Sequence, residues 1–292
     1  MNTTYKAEVI ADSINPNGNR ITTMVVTYPR IILAELNTHR MFSRNSASSR
    51  AIPTEKLLEQ VALHPYEPAY LGKNRKGMQA TEQIDESNRR ACIDEWILAA
   101  DRARKSAQYI LSNGAHKQTV NRLLEPWMWM TTLITATEWD NFFALRCHKD
   151  AQPEFQVLAY KMLEAYVQSK PVEKKEGDWH IPFQMEVFEE EKVDISNIIK
   201  VSVGRCARVS YLNHDGKINI NDDLALYNKL YEAGHMSPFE HIAKVPSLDV
   251  THQWYGNFKG WIQLRKTLPN ESRSYNHQEL LDNIPEWIKN IT

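Results

Sequence analysis

Cysteine is scarce: Cys92, Cys147 and Cys206 are the three in 292 residues, odd in number and widely spaced. That excludes a disulfide framework and a Cys-x-x-Cys metal knuckle, and it fits a reducing compartment, the cytoplasm. No apolar run approaches the ~20 residues that a membrane-spanning helix needs. The first residues also lack the apolar stretch of a secretory leader, so the expectation is a soluble intracellular protein with no membrane partner. Net charge is nearly absent, −1 from 35 basic and 36 acidic residues, and no global field draws nucleic acid. Neither G-x-G-x-x-G nor G-x-x-x-x-G-K-[ST] occurs, so neither a dinucleotide fold nor a P-loop explains any anion binding.

What is present is ordinary globular composition, 42% hydrophobic and 24% charged, enough for one large or two small domains. Lys6–Ala11 and Ile21–Thr27 have strand character, with Asn15-Pro16-Asn17-Gly18-Asn19 as the turn between them. Val25 to Leu36 reads as a strand leading into a short helix. Ile93, Trp96, Ile97, Ala100, Ala103, Ala107 and Ile110 recur at helical spacing, predicting a helix from about Thr81 to Ser112 with Gly114 as its stop. Thr135–Cys147 is a second helix candidate. A third begins at Asp150 as N-cap, tolerates Pro153 in its first turn, and carries Phe155, Leu158, Ala159, Met162, Leu163 and Tyr166 on one face. Lys170–Asp178 is the linker candidate. Beyond it, Ile195–Tyr211 and Leu224–Ala233 read as helices, Val245–Trp254 as a strand, and Gln278–Ile288 as a terminal helix.

Three segments concentrate chemistry. Thr38-His39-Arg40-Met41-Phe42-Ser43-Arg44-Asn45-Ser46-Ala47-Ser48-Ser49-Arg50 packs cations and hydroxyls together directly after the short helix. Arginine forks grip phosphate and small hydroxyls complete a cradle, so the run reads as an anion site or else as a Ser-rich surface loop. Asn141-Phe142-Phe143-Ala144-Leu145-Arg146 sets a guanidinium beside apolar surface, where it needs an acceptor. Arg146 either pairs with Glu138 or Asp150, or faces an anionic, enolate-like ligand oxygen. Gly234-His235-Met236-Ser237-Pro238-Phe239-Glu240-His241 offers two histidines and a glutamate. Their six-residue separation across a proline is unlike the His-Glu-x-x-His helix spacing, which points to structural histidines at a helix end rather than to a metal.

Together the three segments resemble the flavin-dependent thymidylate synthases. The family's RHRxxSxNxxSxRY-type signature is matched by Pro29 to Arg50, its AARVSY-like segment by Cys206-Ala207-Arg208-Val209-Ser210-Tyr211, and its GHxSPFEH segment by Gly234 to His241. Asn121-Arg122-Leu123-Leu124-Glu125-Pro126, Thr135 to Arg146, and Ala151-Gln152-Pro153-Glu154-Phe155 take the place of its NFLxLR region. The resemblance implies a mixed α/β fold, with helices packed on a mostly antiparallel sheet, assembled as a homotetramer with FAD and dUMP between subunits. Methylenetetrahydrofolate would supply the carbon and NADPH the reducing equivalents, with no enzyme nucleophile. Carried over by position, Arg146 activates the uracil. Arg122, Ser48 and Arg50 hold the nucleotide, with Ser49 and Arg44 beside them. His39, Arg40, Asn45, Asn141, Ser210 and Ser237 fall at flavin positions, with Glu240 and Thr135 adjoining. His235 falls where a folate or nicotinamide ring is expected.

The order is rearranged. In the family the AARVSY and GHxSPFEH segments precede the signature; here they follow residue 178, as in a circular permutation of a single catalytic domain, 1–292. Thr38 stands for the first arginine of the signature, Ser46 for a glutamate, Ala51 for the tyrosine, Thr137 for an arginine and Asp150 for a histidine. Arg44, Arg265 and Lys266 are candidate replacements for the missing cations. Two alternatives accompany dUMP methylation: methylation or hydroxymethylation of another pyrimidine nucleotide, and a non-catalytic nucleotide-binding homologue.

Overall fold

Ten residues near the start of the sequence, Arg20–Pro29, explain the architecture best. They alternate between two buried surfaces: Met24, Val26 and Tyr28 face one way, Thr23, Val25 and Thr27 the other. A strand covered on both sides must be central, and this one is. The computed structural model describes residues 4–80, 82–184, 194–211, 219–269, 271–272, 274, 276–289 and 291. Within it, β1 (Lys6–Ile14), β2 (Arg20–Pro29), β3 (Ser43–Ser46), β4 (Trp129–Ala136) and β5 (Val172–Glu173) form a sheet in the order β3-β4-β2-β1-β5. All pairings are antiparallel except the short β1–β5 contact. A second sheet joins β6 (Trp179–His180), β7 (Ala243–Lys244) and β10 (Ile262–Gln263), and a hairpin joins β8 (Trp254–Tyr255) to β9 (Phe258–Lys259). The fold is mixed α/β, with helices against a mostly antiparallel sheet.

One face of the main sheet packs on the helices Asp140–Arg146 and Pro153–Gln168. Phe142, Phe155, Leu158, Ala159 and Met162 meet Met24, Val26, Tyr28 and Ile134 there. Each such large side chain contributes about 1.5–3 kcal/mol by leaving water. The opposite face packs on the helices Ile195–Arg208 and Ile220–Ala233, joining Leu133, Val25 and Ile10 to Ile198, Val203, Cys206 and Leu230. This second core therefore draws on both ends of the chain. A third cluster holds the helices Thr54–Leu63 and Glu86–Ser112 together through Leu57, Val61, Ala100 and Ala107.

Several expectations change. Thr135 and Ala136 end strand β4 rather than begin a helix, and the helix starts at Asp140. The Pro153 helix is preceded by Gln152, not Asp150, as its N-cap residue. The long helix begins at Glu86 rather than near Thr81. Val245–Trp254 is not a strand: Pro246 has no N–H for a ladder, and Leu248–Val250 forms a 3-10 turn instead. The terminal helix is two short ones, His277–Asp282 and Glu286–Lys289, interrupted at Pro285. Lys170–Asp178 is tied down by β5 and by hydrogen bonds from Lys174 N to Ile14 O (2.9 Å) and Gly177 N to Val245 O (3.1 Å). Gly114 holds as a helix stop, with φ of 85°, and Gly234 ends the helix Ile220–Ala233 in the same way, with φ of 74°.

Candidate active site

The signature run does not lie on the surface as a loop. Ser43–Ser46 is the edge strand β3, and Phe42, Ser43, Asn45, Ala47 and Ser49 are buried. Most of its buried polar groups meet partners: Ser43 Oγ meets Asn257, Asn45 Nδ2 meets Cys206 O, and Ser49 Oγ meets Glu125. The turn before it, 37–42, lies against the apolar side of the helix Asp140–Arg146. His39 makes edge contacts with Phe142 (ring centroids 4.9 Å) and Phe155 (5.8 Å).

Arg146, in the last turn of that helix, meets His39 there. Its Nε donates to His39 Nε2 at 2.9 Å, its Nη1 donates to Glu35 at 3.4 Å, and its guanidinium carbon lies 4.5 Å from the centre of the Phe155 ring. Neither Glu138 nor Asp150 is the partner; the acceptors are Glu35 and His39. Burial, then the charges of Arg146 and Arg44, push the His39 pKa down to about 4. His39 is therefore neutral near pH 7 and can accept from Arg146, with its own proton on Nδ1. Among the described residues, the two N–H groups on Arg146 Nη2 have no hydrogen-bond partner. Arg44 completes this group: its Nη1 donates to Leu36 O (2.8 Å) and His39 O (3.0 Å), fixing the turn. Burial lowers the Arg44 pKa from its ordinary value, and nearby Arg40 adds to that while Tyr28 and Glu240 oppose it.

A second group lies across the other face of the sheet. Asn45 Nδ2 donates to Cys206 O at 3.3 Å, and Ser48 N donates to Ser210 O at 2.9 Å, so the signature touches the Cys206–Tyr211 segment directly. Asn45 Oδ1 is buried without a partner. Thr135 lies in an internal chain of hydrogen bonds: Ser13 Oγ to His180 Nδ1 (2.9 Å), His180 Nε2 to Thr23 Oγ1 (2.8 Å), Thr23 Oγ1 to Thr135 Oγ1 (2.7 Å), and Thr135 Oγ1 to His241 Nδ1 (2.8 Å). Both histidines are fully buried, and burial depresses each pKa to about 3. His241 Nε2 ends the chain unpartnered.

A third group surrounds Glu125. Ser49 Oγ (2.7 Å), Arg122 (2.7 Å) and Arg30 (2.9 Å) all converge on its Oε1. Burial would raise the Glu125 pKa, but the Ser49 hydrogen bond and the charge of Arg30 outweigh it and hold the carboxyl below its usual value. Arg122 and Ser49 are thus brought together by a carboxylate that occupies them.

Arg40, Arg50, Asn141, His235 and Ser237 are exposed. Among the described residues no hydrogen bond or ion pair joins them to the groups above. Ser210 enters only through its backbone. Glu240 pairs with Arg265. Sequence reasoning missed Glu35, Glu125, Thr23 and His180. Glu35 lies four residues before His39, in the short helix Leu33–Leu36 that leads into the signature run, and that closeness was its available signal. His180 had none, because its partners lie far away in the chain. No group of three or more His, Cys, Asp or Glu able to hold a metal ion occurs among the described residues. No helix among them is long and apolar enough to cross a membrane.

Residues 19–172, just over half of the chain, match the family described as thymidylate synthase complementing protein, and the chain belongs to that family. It is thereby a member of an enzyme family that modifies pyrimidine nucleotides with flavin and folate. Among solved structures it is similar to a UMP/dUMP methylase, PolB from Streptomyces cacaoi, in complexes with 5-Br UMP and 5-Br dUMP. Identity is 15% in both comparisons and the TM-score is 0.47, covering 57% of this chain and 90% or 91% of the methylase. No curated protein matches the chain significantly.

Proposed function

We propose that this chain converts dUMP to dTMP, with methylenetetrahydrofolate as carbon donor and NADPH as reductant, on FAD held between subunits of a homotetramer. The observation that carries this reading is Arg146: a guanidinium over Phe155, steered by neutral His39 through Nε and held only loosely by Glu35, with neither Nη2 donor taken up by any described residue. A uracil ring becomes nucleophilic at C5 when negative charge at its N3/O4 edge is stabilised, and a fixed guanidinium does this without exchanging a proton. Had His39 been charged, it would repel Arg146; its low pKa lets it act as an acceptor and aim the fork. When bound, the flavin supplies the hydride.

The chain's residues fit such a group. Asn45 Oδ1 is a buried acceptor that lacks a donor, on the strand between the Arg146 and Cys206–Tyr211 contacts, and a heteroaromatic N–H would satisfy it. His39, Arg40, Asn45, Asn141, Ser210, Ser237 and Glu240 would hold the flavin, with Thr135 behind them. Arg122, Ser48, Ser49, Arg50 and Arg44 would hold the nucleotide, and His235 the folate or nicotinamide ring. The carboxylate of Glu125 takes up the Ser49 hydroxyl and Nη1 of Arg122, so a nucleotide would meet Arg122 through its remaining donors. The Cys206–Tyr211 and Gly234–His241 segments lie beyond the family match, which spans residues 19–172; in this reading they take the place of the family's first segments, in permuted order.

Arg146→Ala tests the reading. Turnover of dUMP is expected to fall about a hundred- to a thousand-fold, the cost of losing one preorganised donor, with FAD binding retained. Arg146→Lys should recover little, because a point charge cannot reproduce the planar fork. A destabilised Arg146→Ala protein with full turnover per folded molecule would refute the assignment.

A further inference from the structure

The hairpin β8–β9, strand β10 and the 3-10 turn Leu264–Thr267 after it lie outside the family match and outside every motif described above, yet three of their side chains end on the proposed site. Asn257, at the hairpin tip beside Gly256, donates through Nδ2 to Met41 O (2.9 Å) and Ser43 Oγ (3.1 Å). Gln263, almost fully buried, places the two N–H groups of Nε2 within hydrogen-bond distance of Asn257 Oδ1 (3.0 Å), Ser43 Oγ (3.2 Å) and Glu240 O (3.3 Å). Arg265 Nη1 pairs with Glu240 Oε1. Glu240 is thus gripped twice, at its backbone by Gln263 and at its carboxylate by Arg265.

The base of this segment is rigidly seated. Phe258 and Trp261 are fully buried with Ile21, Ala243 and Val245. Trp261 Nε1 donates to Asn19 O (3.0 Å), and Asn15 Nδ2 donates to Gly260 O (2.8 Å). Gly260 has a φ of +71°, and a Cβ there would lie 2.5 Å from Thr251 O, so only glycine permits the approach. Lys259 N donates to Thr137 Oγ1 at 3.0 Å, tying the hairpin to the loop before the Arg146 helix. A segment anchored this firmly at its base and ending in polar contacts on one strand does more than fill space.

We infer that residues 254–265 are a clasp that sets the shape of the ligand site. Asn257 and Gln263 hold β3 through Ser43, and Arg265 holds the Glu240 carboxylate in the orientation that ligand binding uses. The inference rests on the function proposed above. Asn257, Gln263 and Arg265 are positioning residues, acting through Ser43 and Glu240.

The test uses the full chain carrying Arg265→Met, Arg265→Lys, or the pair Asn257→Ala and Gln263→Ala. FAD and dUMP affinities, amide hydrogen exchange at 43–47 and melting temperature are all measured. Arg265→Met is expected to weaken FAD or dUMP binding roughly 10-fold or more, the scale of one lost charged hydrogen bond. Its melting temperature should hardly move, because the pair is partly exposed and screened. Arg265→Lys should restore most of the affinity. The double variant should speed exchange at 43–47. Unchanged affinity with unchanged exchange overturns the clasp, as does an affinity loss that tracks melting temperature and that lysine does not rescue. If the wild-type chain binds neither FAD nor dUMP, the failure belongs to the proposed function. The exchange arm then decides the clasp alone: faster exchange supports it, and unchanged exchange overturns it.

Discussion

Lowering the pH from 7.5 to 5.0 should destabilise this protein by an amount set chiefly by two residues. His180 and His241 are fully buried and neutral, each with its pKa depressed from 6.5 to about 3. In the unfolded chain both regain ordinary values, so between about pH 6.5 and 3 the unfolded state binds more protons, and stability falls as pH falls. At pH 5.0 the gap is about 1.5 units per residue below the unfolded value, or roughly 2 kcal/mol each and about 4 kcal/mol together. His39, with a pKa near 4 but only half-buried, adds a smaller contribution in the same direction. Glu125, whose pKa is held below its usual value, keeps its charge across this window. Urea unfolding at the two pH values gives the difference directly, and with about 5–15 kcal/mol of total stability to lose, a 4 kcal/mol change is plain. The double variant His180→Gln, His241→Gln should start less stable, yet lose far less on acidification. Equal stability of the wild-type chain at pH 7.5 and 5.0 would refute the reasoning, as would an undiminished pH slope in the double variant.

Other outcomes follow from the same contacts. Phe155→Ala removes a fully buried ring from the first core and should cost about 3–5 kcal/mol in chemical unfolding. It also removes the surface beneath Arg146, so turnover per folded molecule should fall with it. Expressed separately, 1–169 and 179–292 should be insoluble or partly unfolded, because Leu133 and Val25 share a core with Ile198 and Cys206; a stable, cooperatively folding half measured by calorimetry would contradict this.

How far the sequence could be read depended on where each pattern's partners lay. The helix Pro153–Gln168 was legible because Phe155, Leu158, Ala159 and Met162 repeat on one face and pack on one surface. Strand β4 went unassigned, and its end, Thr135 and Ala136, was given to a helix, because Leu133, Ile134, Thr135 and Ala136 are all buried, one set on each face, so no alternation marks them as a strand. Arg146 stood out as a cation among phenylalanines, but its acceptors, His39 and Glu35, lie over a hundred residues upstream. Asn257, at the tip of its hairpin, passed unnoticed because one asparagine after a glycine resembles any turn. Only the folded chain brings it onto Ser43.

The internal chain from Ser13 to His241 has a consequence of its own. A neutral imidazole has one nitrogen that gives and one that receives, and a hydroxyl set between two neighbours gives to one and receives from the other. With every link made, the five residues have only two joint arrangements, all pointing one way or all pointing the other. In one, His241 Nε2 is a lone pair without a proton; in the other, it is an N–H without an acceptor. The character of that atom is therefore tied to the orientation of the Ser13 hydroxyl at the other end of the row, and reversing it requires every proton in the row to move together. Thr23→Val would cut the row in half and leave His180 and His241 to choose independently.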